Sequence, residues 1–213
     1  MRSILISAAI LFAGFGLLIY TWWPIAKWQL VIKPKFVKSA NFLSPLAELP
    51  LNQAPQQLLP ATISFENQIG RQNEAFFLTI EKFGIRKAKV KTGDNFKTQL
   101  AHLPGTALPG EAGNVFISGH SVLPQFFAPD SYLSIFSKLY LLEVGDKIIL
   151  ESQDKSFVYR VSETLVVEPD DSWVISPPAA YGSYLTLLTC GVGGFSLERI
   201  IIRGTLQNSQ KLI

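Results

Sequence analysis

A thiol, an imidazole and a guanidinium, each set where a strand runs out, are the groups in this chain best suited to covalent chemistry. The sequence holds a single cysteine, Cys190. It follows an apolar, β-branched run at residues 184–189 and precedes Gly191, Gly193 and Gly194, the composition of a strand entering a loop. A second strand-type run, residues 199–202, opens with Arg199, so a short return brings a guanidinium towards the sulfur. A third run, residues 115–118, ends in Gly119 and His120. A thiolate attacks carbonyl carbon, an imidazole titrates where it both gives and takes a proton, and a guanidinium stays cationic beside a developing oxyanion. Cys190, His120 and Arg199 thus read as nucleophile, acid/base and oxyanion donor.

Two residues compete for these roles. His102 lies in a Pro/Gly-rich stretch, whereas His120 ends a strand; His102 is read as a structural hydrogen-bonding residue. Arg203 has the same strand parity as Arg199, so parity cannot choose between them. Distance does, because four residues of strand displace Arg203 by about 13 Å. Arg203 is read as a surface or barrel-rim charge. Thr189, beside the nucleophile, is read either as a substrate-orienting hydroxyl or as an ordinary β-branched strand residue.

The elements that must hold these groups are strands. Runs at residues 76–80, 85–91, 147–150, 156–161 and 164–167 alternate or are uniformly apolar, and turn residues separate them. Residues 99–110, QLAHLPGTALPG, carry turn chemistry throughout and read as a loop. Residues 122–140 read as an aromatic-rich loop with a helical turn. Residues 168–183 form a long connection with three prolines, of the kind that more often serves function than packing. About eight short strands and no long helix after the N-terminal segment predict an all-β barrel or sandwich.

The N-terminal segment differs in kind. From Ser3 to Ala26 no residue is charged, a length sufficient to cross a bilayer as a helix. It ends in Tyr20, Trp22 and Trp23, with Trp28 beyond, the composition of an interfacial aromatic belt. No small-x-small cleavage site is evident, so an anchor is expected rather than a cleaved signal. Lys27, Lys33, Lys35 and Lys38 follow the span and Arg2 precedes it; the charge rule taken literally leaves the remaining chain in the cytoplasm. Pro45, Pro50, Pro55 and Pro60 recur every five residues in the next stretch, which reads as an extended spacer. The expected organisation is a transmembrane segment at 1–28, a stalk at 29–72 and a β domain at 73–213.

A formal charge of +3, much of it beside the span, fits a lipid or wall surface and gives no sign of nucleic-acid binding. One cysteine excludes an intramolecular disulfide and a cysteine-based metal cluster, and two histidines make a poor zinc site. No metal or cofactor is expected.

The motifs TLLTC, the RIIIRG strand nine residues after that cysteine, and PGEAGNVFISGH some seventy residues before it occur together and in this order. In these the chain resembles the sortases, membrane-anchored cysteine transpeptidases of bacterial cell surfaces. The resemblance implies a closed β-barrel of about eight strands with short helical turns, behind an N-terminal transmembrane helix. It implies Cys190, His120 and Arg199 as catalytic residues. It further implies an LPxTG-like surface protein as substrate, a cell-wall precursor or pilin lysine as amine acceptor, no cofactor, and an extracytoplasmic domain, against the charge rule. The Cys-to-Arg spacing and the RG ending are similar to the C, D and E branches. Ser121 stands where many members carry Arg, and no Asp-Pro-Trp/Phe lid motif is present. LPATI, residues 59–63, is read as linker composition, since no apolar span and basic tail follow it. The rival readings are an L,D-transpeptidase, whose Ser-x-Gly-Cys context is absent, and a non-catalytic membrane-tethered β module.

Overall fold

A computed structural model describes residues 2–35, 37–38, 75–192 and 198–211. Most of the proline-spaced stretch, LPATI included, and Gly193 and Gly194 of the expected loop lie outside the described residues. Helix α1 (Arg2–Lys27) is followed by a π-helical turn, Trp28–Ile32, and a 3-10 turn, Lys33–Lys35. Its side chains are largely exposed, and the stretch Leu5–Val31 is long and apolar enough to cross a membrane. At 1.5 Å per residue, α1 alone is about 39 Å long.

The strands are β1 (Val37–Lys38), β2 (Phe76–Ile80), β3 (Ile85–Thr92), β4 (Leu100–His102), β5 (Gly113–Ser118), β6 (Lys147–Ser152), β7 (Lys155–Val167), β8 (Ser183–Cys190) and β9 (Arg199–Lys211). Eight of them close on themselves in the order β7-β6-β2-β3-β4-β5-β8-β9, with β9 returning to β7. The expected closed barrel is what forms. Two of its contacts are parallel, β3 with β4 and β5 with β8; the others are antiparallel.

Alternation fills the barrel. Phe76, Leu78 and Ile80, Val115 and Ile117, Ile148 and Leu150, Leu185 and Leu187, and Ile200 and Ile202 all join one buried cluster. The intervening residues of β5, β8 and β9 face outward. There Phe116 and Ile201 meet Leu165, Val167 and Val174 in a second, smaller cluster.

Three elements differ from the sequence reading. The two runs at 156–161 and 164–167 are one strand, β7, because Ser162 is an extra residue between the pairs Val161↔Gly204 and Glu163↔Arg203. That bulge reverses the alternation: Phe157, Tyr159 and Val161 face the barrel interior, and beyond it Val166 does so while Leu165 and Val167 face out. Strand β9 extends to Lys211, since its polar end still pairs with β7 down to Lys155. Inside the expected loop at 99–110, Leu100–His102 forms β4, bridging β3 and β5.

Where the spacer was expected to begin, Trp28, Lys33 and the pair Val37–Lys38 meet the barrel. Trp28 is 1% exposed and meets Tyr140 edge-on at 5.5 Å. Val37 and Lys38 pair in parallel with Leu165 and Val166 on the edge of β7 that β6 leaves open.

Candidate active site

Register determines which polar groups meet at the end of the barrel. In the antiparallel β8–β9 pair Cys190 stands directly opposite Arg199, and Arg203 stands opposite Thr186. Directly opposed residues have Cα atoms about 4.5–5.5 Å apart. In the parallel β5–β8 pair Ser118 is level with Leu188, so His120 and Cys190 each lie two residues past the last matched position. The ladder continues past β5, because the Gly119 N–H donates to the Leu188 carbonyl at 3.1 Å. Ser121 closes the gap, its Oγ donating to the Cys190 carbonyl at 3.0 Å. The structure therefore brings Cys190, His120 and Arg199 to one edge. Cys190 and Arg199 are half-buried and His120 is exposed.

Gly119 is required where it sits. A Cβ there would meet Leu100 Cδ2 and Phe136 Cδ2, both at 2.6 Å, so any side chain would push the segment carrying His120 away from the barrel. The Phe136 N–H also donates to the His120 carbonyl, at 3.1 Å. The imidazole itself lies against Phe96, ring centroids 5.1 Å apart and planes tilted by 52°. Phe96 was missed in the sequence; its one local signal is an aromatic residue inside the turn-rich stretch GDNFKT.

Thr189 faces away from the Cys190 edge. It is 1% exposed, and its hydroxyl donates to the Gly119 carbonyl at 2.8 Å. It lies on the opposite face of β8 from Cys190, and its hydrogen bond ties the segment carrying His120 to β8. Arg203 is corrected. It is 6% exposed, not a rim charge, and its guanidinium lies 4.9 Å from the Trp173 ring centre with Nη1 at 3.4 Å from Glu163 Oε2. Burial lowers its pKa from the usual guanidinium value, while Glu163 opposes the shift.

His102 is fully buried. Its Nε2 lies 3.0 Å from the Ala107 carbonyl and 3.0 Å from Thr106 Oγ1, and its Nδ1 lies 3.1 Å from Thr92 Oγ1. Donation from Nε2 to Ala107 and acceptance at Nδ1 from Thr92 describe a neutral imidazole bracing the 99–110 loop. Burial depresses its pKa below 6.5, the Ala107 contact and Glu111 opposing. It takes no part at the Cys190 edge.

The connection from β7 to β8 folds over the outer face beside the site. Its short 3-10 helix, Ser172–Ile175, is pinned by Asn114, whose Nδ2 donates to the Ile175 carbonyl at 2.9 Å while Oδ1 accepts from Thr186 Oγ1 at 2.9 Å. Val174 packs into the outer cluster, and half-buried Leu103 and Leu188 extend that apolar face; Leu188 precedes Cys190 on the same side of β8. Of the adjacent acids in this connection, Asp171 caps its own turn, accepting from the Glu168 N–H at 2.8 Å and from Trp173 Nε1 at 3.1 Å.

Residues 78–207 match the family model of the sortase domain. Sortase SrtE1 of Streptomyces coelicolor is 33% identical over 109 residues, 47% of this chain, and the match spans only 29% of that relative's length. Among solved structures, sortase E1 of Streptomyces coelicolor with a tripeptide in its active site is 27% identical, with a TM-score of 0.55 over 66% of this chain and 91% of that one. A sortase D5 transpeptidase of Clostridium perfringens is 25% identical, with a TM-score of 0.54 over 68% of this chain and 89% of that one. A family model covering more than half of the sequence, on a barrel of the same closure, establishes that this chain belongs to the sortase family.

Proposed function

We propose that this chain is a cysteine transpeptidase that cleaves an LPxTG-like sorting signal between Thr and Gly and transfers the acyl part to an amine. The observation that carries the reading is the direct pairing of Cys190 with Arg199, with His120 at the adjoining strand end. Cys190 Sγ attacks the threonine carbonyl carbon, and the electron pair displaced onto oxygen is held by the Arg199 guanidinium. Collapse of the tetrahedral intermediate breaks the C–N bond as His120 gives its proton to the departing glycine amine. The thioester remains until a second amine attacks; His120 then takes that amine's proton and Sγ leaves as thiolate. The acceptor is a cell-wall precursor or a pilin lysine. The apolar outer face beside Cys190 suits the Leu-Pro portion of such a signal, and the tripeptide in the active site of sortase E1 supports a peptide substrate here.

We place the barrel outside the cell, tethered by α1. Because the chain has one cysteine, a membrane-impermeant maleimide applied to intact cells reads topology directly: labelling of Cys190 supports this orientation, and labelling only after lysis overturns it. The reaction is tested by incubating the full chain in detergent micelles with LPxTG-type peptides and a glycine-based amine. Formation of the new amide, lost in Cys190→Ala, supports transpeptidation. Release of the C-terminal fragment without amide formation would make the enzyme a hydrolase.

A further inference from the structure

The membrane-proximal segment reaches the candidate active site through one ion pair. Lys33 Nζ pairs with Glu198 Oε1, across more than three-quarters of the chain. The side chains are 32% and 17% exposed, so the pair is partly shielded from solvent and from salt screening. Glu198 directly precedes Arg199. Its backbone carbonyl accepts from the Gly191 N–H at 2.9 Å and from Arg199 Nη1 at 3.2 Å. One residue therefore joins the exit of the nucleophile strand, the guanidinium and the segment that leaves α1. That segment is itself fixed on both sides of Lys33, by Trp28 beneath Tyr140 and by β1 on β7.

We infer that Lys33 and Glu198 are positioning residues, and that the strap formed by residues 28–35 with β1 uses them to hold the Glu198 corner so that Arg199 faces the thiol. Anchoring and catalysis are then coupled: a pull on the strap, or its release from the barrel, loosens the corner that carries the oxyanion donor. The inference rests on the transpeptidase reading for its kinetic consequence, but its structural part does not.

The test uses the full chain in micelles with Lys33→Met, Glu198→Gln and Lys33→Arg. Amide exchange at Gly191, measured by NMR, is expected to rise several-fold in the first two and to stay at the wild-type rate in Lys33→Arg. Peptide transfer is expected to fall about five-fold in kcat for the first two, with KM and melting temperature unchanged, and to be retained in Lys33→Arg. Glu198→Gln separates positioning from simple charge. Removing a negative charge beside Arg199 would favour the oxyanion if only the field mattered, whereas loss of the corner slows the reaction. Unchanged Gly191 exchange in both Lys33→Met and Glu198→Gln overturns the inference, as does raised exchange with undiminished kcat. A wild-type chain that transfers no peptide refutes the function above and leaves Gly191 exchange to decide this point.

Discussion

Replacing Arg199 by Ala is expected to lower kcat/KM by about 10²–10³, the range found when one preorganised oxyanion donor is removed, or about 2.7–4 kcal/mol of transition-state stabilisation. The size follows from register: Arg199 is the residue directly opposite Cys190, so its guanidinium is already held at the reacting end of β8. Arg199→Lys keeps the charge but loses the planar fork, and falls between the two. The comparison that gives the experiment force is Arg203→Met. Arg203 is buried against Trp173 and Glu163 and pairs with Thr186, four residues from the nucleophile. Its loss removes a cation–π contact and strands Glu163, which is itself partly exposed, so a stability loss of about 2 kcal/mol is expected, with kcat/KM nearly unchanged in the molecules that remain folded. The assay is peptide-transfer kinetics at a temperature well below both melting transitions, with melting measured separately. Arg199→Ala within three-fold of wild type, or Arg203→Met matching its loss of activity without a stability change, would refute the assignment.

Two further predictions concern the residues around the site. Thr189→Val keeps the shape but removes the hydrogen bond to the Gly119 carbonyl; it is expected to cost about 1 kcal/mol of stability and to reduce kcat several-fold while KM for peptide stays unchanged, and a rise in KM alone would return Thr189 to a substrate contact. His102 has its folded pKa depressed by burial, so the unfolded chain binds the extra proton first as pH falls through 6.5. Stability is therefore complete above pH 6.5 and declines below it, by up to about 1.4 kcal/mol per pH unit, and the urea midpoint of His102→Gln is expected to lose that dependence; an unchanged slope would contradict the buried neutral imidazole.

What the sequence made legible was local. Residues 184–189 and 199–202 are apolar and β-branched because they fill the barrel interior and its outer cluster, so the strands carrying Cys190 and Arg199 could be read directly. The end of β9 could not, since its polar residues earn their place only by pairing with β7 and pack on no core. Strand β4 is three residues long within Pro/Gly chemistry, too short to show alternation. The bulge at Ser162 hid the continuity of β7 by reversing its parity. At the site, the motifs named the three chemical groups, but Phe96 against His120 and Lys33 against Glu198 join segments with no sequence pattern between them. Arg203 was misread because a lone cation in a strand carries no sign of the Trp173 and Glu163 that cover it.

The proposed reaction depends on acylation of Cys190 by a sorting-signal peptide. Intact mass of the full chain, incubated with LPxTG-type peptides and no added amine, measures this directly. The expected result is a gain equal to the acyl half of the peptide, absent in Cys190→Ala and reversed on adding an amine. A chain whose mass never changes, although iodoacetamide readily alkylates Cys190, would contradict the proposed substrate; a chain unreactive towards both would contradict Cys190 as the nucleophile.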